Sequence, residues 1–405
     1  MEIRPTYLIM TTAANNNKYY NIFPDGDRIR VEYGRIDTTK TTAYYPISKF
    51  ESQVKSKIRK GYVDVTDLKK DLIQEVSAAN PDSPYKEIEN AVIKEIVEKL
   101  QSMARETIQK NYTVKASSVT QDMVNEAQKI IDALANNSTT VKDFNDNLLR
   151  LFTVIPRKMG NVRDYLARET NDFAKIISKE QDLLDVMRGQ IYVKTDDEPT
   201  TTVEKKQQTI LEELGLVMEE VTDDEVAMIK SLMNESASKF RRAWRVKNLK
   251  TQDRFDKFVR ENSIKDTRLL FHGSRSENFW SIIKTGLVLR PTNAVITGKM
   301  FGYGCYYAPR CAKSIGYTSL SGSYWARGGN STAYMALFDV AYGTPYDVYS
   351  FDSKYYKLDY EKLQQFKPGA NCLHAHADRG MLRNDEIVVY KEDQMTIKYL
   401  IEIGN

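Results

Sequence analysis

Three short, widely separated stretches of this 405-residue chain contain residue types that could act together in chemistry. His272, Tyr306 and Glu386 stand one in each stretch, among glycine, aromatic and branched apolar residues. A carboxylate in a pocket can stabilise a developing positive charge or help to activate a hydroxyl group. The stretches are 269–274 (LLFHGS), 302–308 (GYGCYYA) and 384–390 (NDEIVVY). If the fold brings these stretches together, they form one pocket with a histidine, a tyrosine and a glutamate.

Each of the three residues also has an ordinary structural explanation when it is considered alone. His272 follows two leucines and a phenylalanine, and a lone histidine in such a place is often a core residue with internal hydrogen bonds. Glu386 could be a solvated glutamate at the start of a strand, and Tyr306 is one of 25 tyrosines. The position of each residue within its motif is therefore what singles it out.

The composition limits the classes of protein that this chain could be. Its length predicts two or three domains, and 41% hydrophobic residues suffice for packed cores. There is no apolar run long enough to span a membrane and no N-terminal signal pattern, so we expect an intracellular protein with no membrane partner. The three cysteines, Cys305, Cys311 and Cys372, form no C-x-x-C motif, which predicts neither a disulfide framework nor zinc fingers.

The positive charge of the chain is concentrated at its N-terminus. Residues 1–66 contain eleven Lys or Arg and seven Asp or Glu, which accounts for the net charge of +4 of the whole chain. An uneven distribution of this kind favours a module that faces a polyanion such as nucleic acid. An ordinary solvated surface explains the excess about equally well.

Hydrophobic periodicity divides the chain into regions of different secondary structure. Strands separated by turns are predicted to about Asp67, with a turn at 24–27 and a short helix at 48–57. Apolar residues then recur with helical spacing through 85–190. The polar stretch 194–202 interrupts this pattern and predicts a linker. Short helices, strands and glycine-containing loops follow, and the alternation at 397–403 predicts a strand near the C-terminus.

Motifs for other nucleotide enzymes and for metals are missing from the sequence. There is no P-loop, and Tyr307 stands where a G-x-G-x-x-G motif would need its third glycine. His374 and His376 could lie on one face of a strand, but the chain has one other histidine and no cluster of cysteines. We therefore predict no metal site, and we expect this pair to make structural hydrogen bonds.

The order and spacing of the motifs resemble the signature of the poly(ADP-ribose) polymerases. Two further blocks, 297–302 (TGKMFG) and 313–317 (KSIGY), occur at the spacing of that family. The resemblance covers nearly the whole chain and is strongest from Leu269 to the end. It implies NAD+ as the substrate, no metal, and a catalytic domain of mixed α/β structure built on antiparallel sheets.

The resemblance also implies a role for each residue of the pocket. Glu386 would hydrogen bond the ribose 2′-hydroxyl, stabilise positive charge at C1′ and help to activate the incoming hydroxyl. Nicotinamide leaves as a neutral group, so no general acid is needed and one carboxylate can replace the pair used by glycosidases. His272 and Ser274 would contact the adenosine ribose, and Tyr306 would pack beside the nicotinamide and its ribose. The other implied residues are Gly273, Ser314 and Tyr317 at the nicotinamide, and Lys313 on the acceptor side unless it is simply solvated.

Two departures from the family pattern bear on the walls of the pocket. Lys299 replaces the family's tyrosine in the loop before Met300. The stretch 323–330 (SYWARGGN) resembles an insertion that could reshape access for the acceptor.

The remaining modules resemble those of the DNA-dependent branch of the family. Residues 120–187 are similar to its regulatory helical domain, in which Asp185 matches an acidic residue facing the adenosine end; a passive bundle is the alternative. The N-terminal segment is similar to a WGR domain, with Tyr33 in place of the tryptophan. A tyrosine can stack on a sugar or a base pair, and basic side chains can contact phosphates. The candidates for such phosphate contacts are Arg35, Lys55, Lys57, Arg59 and Lys60, weighed evenly against a solvated basic helix.

We therefore predict a multidomain α+β protein with a β-rich WGR-like domain (1–75), a helical regulatory domain (85–192), a linker (193–208) and a catalytic domain (209–405). The expected activity is DNA-damage-responsive poly(ADP-ribose) synthesis in DNA repair, with nicked DNA as activator and proteins, itself included, as acceptors. A mono-ADP-ribosyltransferase or NAD glycohydrolase on the same fold is the alternative, and a DNA-end-binding scaffold with an idle pocket is a third possibility. The expected location is the nucleus in a eukaryotic host and the cytoplasm in a bacterial or viral one.

Overall fold

The chain folds into two compact units, one of 1–75 with 105–194 and the other of 76–104 with 195–405. The computed structural model describes residues 3–36, 38–69, 85–113, 119–137, 140–191, 207–289, 300–377 and 382–405. The predicted domain boundaries near 75–85 and 193–208 fall largely outside these ranges and stay predictions. No helix in the described ranges is long and apolar enough to cross a membrane.

The first unit contains a five-stranded antiparallel sheet in the order β4-β3-β2-β1-β5. The turn predicted at 24–27 is confirmed, because it joins β2 to β3 and Gly26 adopts a positive φ of 61° there. Phe50 and Val54 of α1 pack on the buried face of this sheet, against Leu8 and Ile22. The elements are β1 (Thr6–Thr12), β2 (Asn16–Asp25), β3 (Arg28–Arg35), β4 (Thr41–Pro46), α1 (Phe50–Arg59) and β5 (Val63–Asp64).

Helices account for most of the remaining residues of the first unit that the structure describes, as the apolar periodicity predicts. Thr140 caps α4 by accepting a hydrogen bond from the Asp143 amide, and Phe144 of α4 stacks on Phe173 of α5 at a ring distance of 3.9 Å. The helices are α2 (Ala91–Asn111), α3 (Gln121–Asn137), α4 (Val141–Val154) and α5 (Phe173–Gln190). Residues 91–104 of α2 belong to the second unit, in whose core Ile93, Ile96 and Leu100 are buried.

The second unit is built on two sheets whose strands pair almost entirely antiparallel. One sheet has the order β6-β7-β14-β10-β8, and the other has the order β11-β12-β13-β9 with a parallel pair at β11 and β12. The C-terminal strand predicted at 397–403 is confirmed as part of β14, and Leu400 breaks its alternation because β14 is central and buried on both faces. The strands are β6 (Leu216–Glu220), β7 (Phe240–Asn248), β8 (Thr267–Gly273), β9 (Cys305–Tyr307), β10 (Thr332–Ala341), β11 (Pro345–Val348), β12 (Cys372–Ala375), β13 (Glu386–Val389) and β14 (Met395–Gly404).

Short helices connect these strands and cover the sheets. Thr222 and Glu225 form a capping box at the start of α7, and Asn248 caps α8 through the Thr251 amide. The helices of this unit are α6 (Ile210–Glu213), α7 (Asp223–Met233), α8 (Leu249–Glu261), α9 (Phe279–Thr285), α10 (Cys311–Ile315) and α11 (Tyr360–Phe366). The mixed α/β architecture on antiparallel sheets that the sequence predicts for this part of the chain is therefore confirmed.

Candidate active site

The two sheets of the second unit meet where β8 and β9 end. Phe271 of β8 and Ala308, which follows β9, exchange two backbone hydrogen bonds of 3.0 Å. Within the second sheet, Tyr306 of β9 lies opposite Val388 of β13. The strands that carry His272, Tyr306 and Glu386 therefore lie side by side, although the three residues are far apart in sequence.

His272 is held by the backbone of the neighbouring strand. Its Nδ1 lies 3.2 Å from the carbonyl oxygen of Tyr306, and since a carbonyl only accepts, Nδ1 carries the proton. The ring also lies 5.9 Å from the rings of both Tyr307 and Phe338. His272 is half-buried at the end of β8 and not sealed in the apolar core, so its orientation is fixed while part of the residue stays accessible.

The phenol group of Tyr306 holds the loop before β9. It donates a hydrogen bond to the Gly302 carbonyl at 3.1 Å and accepts one from the Phe301 amide at 3.0 Å. Burial, and to a lesser degree the charge of Glu386, raise the pKa of Tyr306 well above its ordinary value. This tyrosine therefore stays protonated and presents a neutral ring on the side of the pocket near the carboxylate.

Glu386 begins β13 and forms an ion pair with Lys313 of α10. The Lys313 Nζ atom lies 2.6 Å from Glu386 Oε1 and 3.2 Å from the carbonyl oxygen of Asn384. Both side chains are 13% exposed, so the pair is mostly shielded from water yet still open to the surface. The solvated-lysine alternative for Lys313 does not fit this contact, because the ammonium group holds the carboxylate in one orientation.

Gly273 lies against the backbone of α10. A Cβ atom at this position would lie 1.9 Å from the Ser314 carbonyl oxygen and 2.8 Å from its carbonyl carbon. The Ser314 carbonyl accepts a hydrogen bond from the Tyr317 amide at 3.1 Å, which connects the glycine to the turn that carries Tyr317. The absence of a side chain at 273 therefore sets the distance between β8 and α10.

Tyr317 presents an aromatic face beside the carboxylate. The residue is 41% exposed, and its ring stacks on Trp325 at 6.0 Å with an interplanar angle of 17°. Burial of the phenol group and the nearby charge of Glu386 raise the pKa of Tyr317 to about 12. The insertion-like stretch 323–330 thus supplies a second aromatic side chain, because the Trp325 and Ala326 amides both bond to the Gly316 carbonyl.

Most of the residues predicted for the pocket lie on these neighbouring elements, and the contacts of the remaining ones are described in turn. Ser274 follows β8 and accepts a hydrogen bond from Asn278 at 3.0 Å. Asp185 belongs to the first unit, where it accepts a hydrogen bond from Gln181 at 3.0 Å, and its predicted contact with the adenosine end stays a prediction. Lys299 lies outside the described residues.

Three of the residues predicted to bind DNA make contacts within the first unit itself. Tyr33 packs on Tyr20 at a ring distance of 5.6 Å, and the Lys57 ammonium lies 3.9 Å from the centre of the Tyr20 ring. Burial lowers the pKa of Lys57, with Lys60 as a further cause. Arg35 donates to the Asn15 and Gly160 carbonyls, at 2.8 and 3.0 Å, so it also links parts of this unit.

Exposed basic side chains remain at the end of α1. Arg59 and Lys60 are exposed there, and Lys55 is exposed with an ion pair of 3.0 Å to Glu51. Lys57 packs on Tyr20 instead, and the predicted contact of these basic residues with phosphate groups stays a prediction.

Two features of the second unit were missed by the sequence interpretation. Trp325 lies in a stretch that the sequence interpretation recognised only as an insertion. The adjacent Tyr324 was the one sign in the sequence that this stretch could form an aromatic surface. The pairing of His374 with Asp385, at 3.0 Å, depends on strand register and could not be read from spacing alone.

Comparisons with known proteins identify the second unit. The family model described as the poly(ADP-ribose) polymerase catalytic domain matches residues 223–405. The chain is 32% identical to the putative poly [ADP-ribose] polymerase-like protein 100L of Invertebrate iridescent virus 6 over 46% of this chain and 97% of that protein. It is 33% identical to uncharacterized protein 101L of the same virus, over 45% of this chain and 76% of that protein. It is also 28% identical to poly [ADP-ribose] polymerase 2 of Arabidopsis thaliana, over 36% of this chain and 25% of the plant protein.

Proposed function

Since the chain belongs to the poly(ADP-ribose) polymerase family, we propose that it makes poly(ADP-ribose) on protein acceptors, itself included, and that damaged DNA activates it. The family supports ADP-ribosyl transfer with NAD+ as the substrate. Polymer formation and DNA dependence are the finer parts of the proposal. The observation that carries the transfer chemistry is the ion pair of Glu386 with Lys313, on the elements that neighbour His272, Tyr306 and Tyr317.

The chemistry of NAD+ cleavage suits a site with a single held carboxylate. The bond between nicotinamide and ribose breaks through an oxocarbenium-like state, and nicotinamide departs neutral without protonation. Glu386 would stabilise the positive charge that develops at C1′ and accept a hydrogen bond from the 2′-hydroxyl. Lys313 would keep the carboxylate oriented before the substrate arrives, which removes part of the ordering cost from the reaction step.

The same carboxylate is the reason to favour polymer formation over a single transfer. Elongation requires a sugar hydroxyl of the bound ADP-ribose to attack C1′ of the next NAD+, and a carboxylate near that hydroxyl can act as its general base. In Tyr306 and Tyr317 the phenols stay protonated, so neither competes for this role. A mono-ADP-ribosyltransferase or NAD glycohydrolase would use the same pocket and is the second candidate.

One assay separates these candidates. The full chain is incubated with NAD+, with and without nicked DNA, and nicotinamide release and the size of modified protein are measured together. A ladder of modified protein that appears with DNA supports the proposal. Discrete single modifications would favour the mono-transferase, release without modified protein would favour the glycohydrolase, and release independent of DNA would remove the regulatory part.

The exposed basic end of α1 predicts the salt dependence of DNA binding. If Lys55, Arg59 and Lys60 contact three phosphate groups, affinity for nicked DNA should fall about 40-fold between 50 and 200 mM salt. The double substitution Arg59→Gln with Lys60→Gln should lower the slope of log K against log salt by about two, measured by fluorescence anisotropy. Lys142→Gln, at an exposed lysine on α4, is the matched control, and an unchanged slope in the double variant would remove this surface from the proposal.

The stack of Trp325 on Tyr317 predicts a role in holding NAD+. Trp325→Ala should raise KM for NAD+ about 2–13-fold, because an aromatic pair of this kind contributes about 0.5–1.5 kcal/mol. Trp325 is a positioning residue here, so kcat should change little and Trp325→Phe should restore most of the affinity. Steady-state kinetics of nicotinamide release check this, and a fall in kcat at constant KM would contradict it.

A further inference from the structure

Two histidines and two aspartates lie together at one edge of the second sheet. Asp347 of β11 lies opposite His374 of β12, and the next residue of β12, Ala375, lies opposite Glu386 of β13. One oxygen or nitrogen atom from each of Asp347, His374 and His376 lies within 4.8 Å of the other two. Asp385, the residue before Glu386, adds a second carboxylate to this cluster.

The hydrogen bonds of the cluster orient one nitrogen of each imidazole toward Asp385. His374 Nδ1 lies 2.8 Å from the Tyr342 hydroxyl, and His376 Nε2 lies 2.8 Å from Asp347 Oδ1. The other two nitrogens, His374 Nε2 and His376 Nδ1, lie 3.0 and 3.9 Å from the same oxygen, Asp385 Oδ2. His374 has an arrangement that is common in metal-bound histidines, with Nδ1 held by a hydroxyl group and Nε2 next to a carboxylate that could share an ion with it.

The surroundings fix the positions of these side chains before any ion binds. The two imidazole rings stack at 3.9 Å, and Tyr349 stacks on the far face of His376 at 4.5 Å with an angle of 8°. The other oxygen of Asp385 accepts a hydrogen bond from the Ala377 amide at 2.9 Å. Ligands held in this way lose little conformational freedom when an ion binds.

We propose that Asp347, His374 and His376, with Asp385 as a fourth ligand, bind one divalent transition-metal ion, Zn²⁺ foremost. Nitrogen and carboxylate ligands in this ratio suit Zn²⁺, whereas Mg²⁺ and Ca²⁺ prefer oxygen ligands alone. Ligands about 2.0–2.2 Å from a tetrahedral ion lie about 3.3–3.6 Å apart. The ligand atoms of Asp347, His374 and His376 already lie within 4.8 Å of one another, and the two stacked imidazole rings have to turn so that both nitrogens face one ion. Two carboxylates also neutralise the double charge of the ion.

The place of this site in the fold suggests what the ion does. Asp385 and Glu386 are consecutive, so a metal bound to Asp385 would fix the backbone from which the Glu386 side chain starts. The ion would thus be structural, and the proposal depends neither on polymer formation nor on activation by DNA. It departs from the sequence prediction of no metal, because strand register brings Asp347 and Asp385 to a histidine pair that looks isolated in the sequence.

The test measures the metal directly on the full chain. After treatment with a chelator and its removal, Zn²⁺ is titrated by calorimetry, and bound zinc is counted by elemental analysis. We expect one Zn²⁺ per chain at micromolar or tighter Kd, an increase in Tm with Zn²⁺, and no such increase with Mg²⁺. X-ray absorption at the zinc edge should show two imidazole ligands.

Variants separate this site from chance binding elsewhere. His376→Gln and Asp385→Asn should each weaken Zn²⁺ binding at least tenfold and remove the increase in Tm, while Glu361→Gln, at an exposed glutamate of α11, should leave both unchanged. Tm values measured without metal show whether the variants fold. Zinc bound equally by wild type and His376→Gln, or no stoichiometric zinc on folded wild-type protein, would overturn the proposal.

Discussion

Glu386→Gln should eliminate elongation and lower the rate of nicotinamide release by about 10²–10³, the usual cost of losing one aligned electrostatic contact in the transition state. The amide keeps nearly the same shape but carries no charge to stabilise C1′ and cannot act as a base. It also leaves the Lys313 ammonium, which lies 2.6 Å from Glu386 Oε1, without its anionic partner at a mostly buried position. The positive charge of Lys313 would then oppose the positive charge that develops on the ribose.

Two measurements on the same samples check this result. Nicotinamide release reports the first step and the ladder of modified protein reports elongation, so loss of the ladder with some remaining NAD+ cleavage is the expected pattern. Glu361→Gln, at a surface position distant in sequence from all motifs, should behave as wild type. If Glu386→Gln still makes a full ladder, the role assigned to this carboxylate is wrong.

Gly273→Ala should damage both the fold and the substrate site, because the added Cβ atom would meet the Ser314 backbone at 1.9 Å. Neither β8 nor α10 can move away easily. β8 is paired in register with β10 and bonded to Ala308, and the Ser314 carbonyl is bonded to the Tyr317 amide. Overpacking of this kind costs about 1–3 kcal/mol, which corresponds to a decrease in Tm of roughly 3–10 °C. The affinity for NAD+ should also fall, because a displaced Ser314 backbone would move Tyr317 with it.

The matched control is Gly329→Ala. Within the described part of the chain, and apart from its two chain neighbours, Gly329 has no atom within 4 Å of the position where its Cβ would stand, so this variant should keep the wild-type Tm and KM. Thermal unfolding and NAD+ titration of both variants are compared under identical conditions. Unchanged Tm and KM in Gly273→Ala would show that β8 and α10 do not approach each other as closely as described.

Local pattern was sufficient to predict the secondary structure of much of the chain. The hairpin around Gly26, helix α7 and the final strand follow from turn chemistry and from apolar spacing, which depend on neighbours within about ten residues. Local pattern did not predict which core the apolar side chains of α2 pack into. Its apolar side chains would suit any core, and only the tertiary structure shows Ile93, Ile96 and Leu100 in the core of the second unit.

At the site, motif order and the chemistry of the leaving group are enough to single out His272, Tyr306 and Glu386 as the side chains that could do chemistry. The resemblance assigns Gly273 to the nicotinamide, but it does not show that this glycine also sets the distance between β8 and α10. The tertiary structure alone decided what these residues touch: the Lys313 partner of Glu386, the Ser314 backbone against Gly273, the Trp325 ring on Tyr317, and Asp385 beside His374. The physical reason is that these contacts depend on strand register and on distances set by distant parts of the chain, neither of which is encoded in any local pattern of residues.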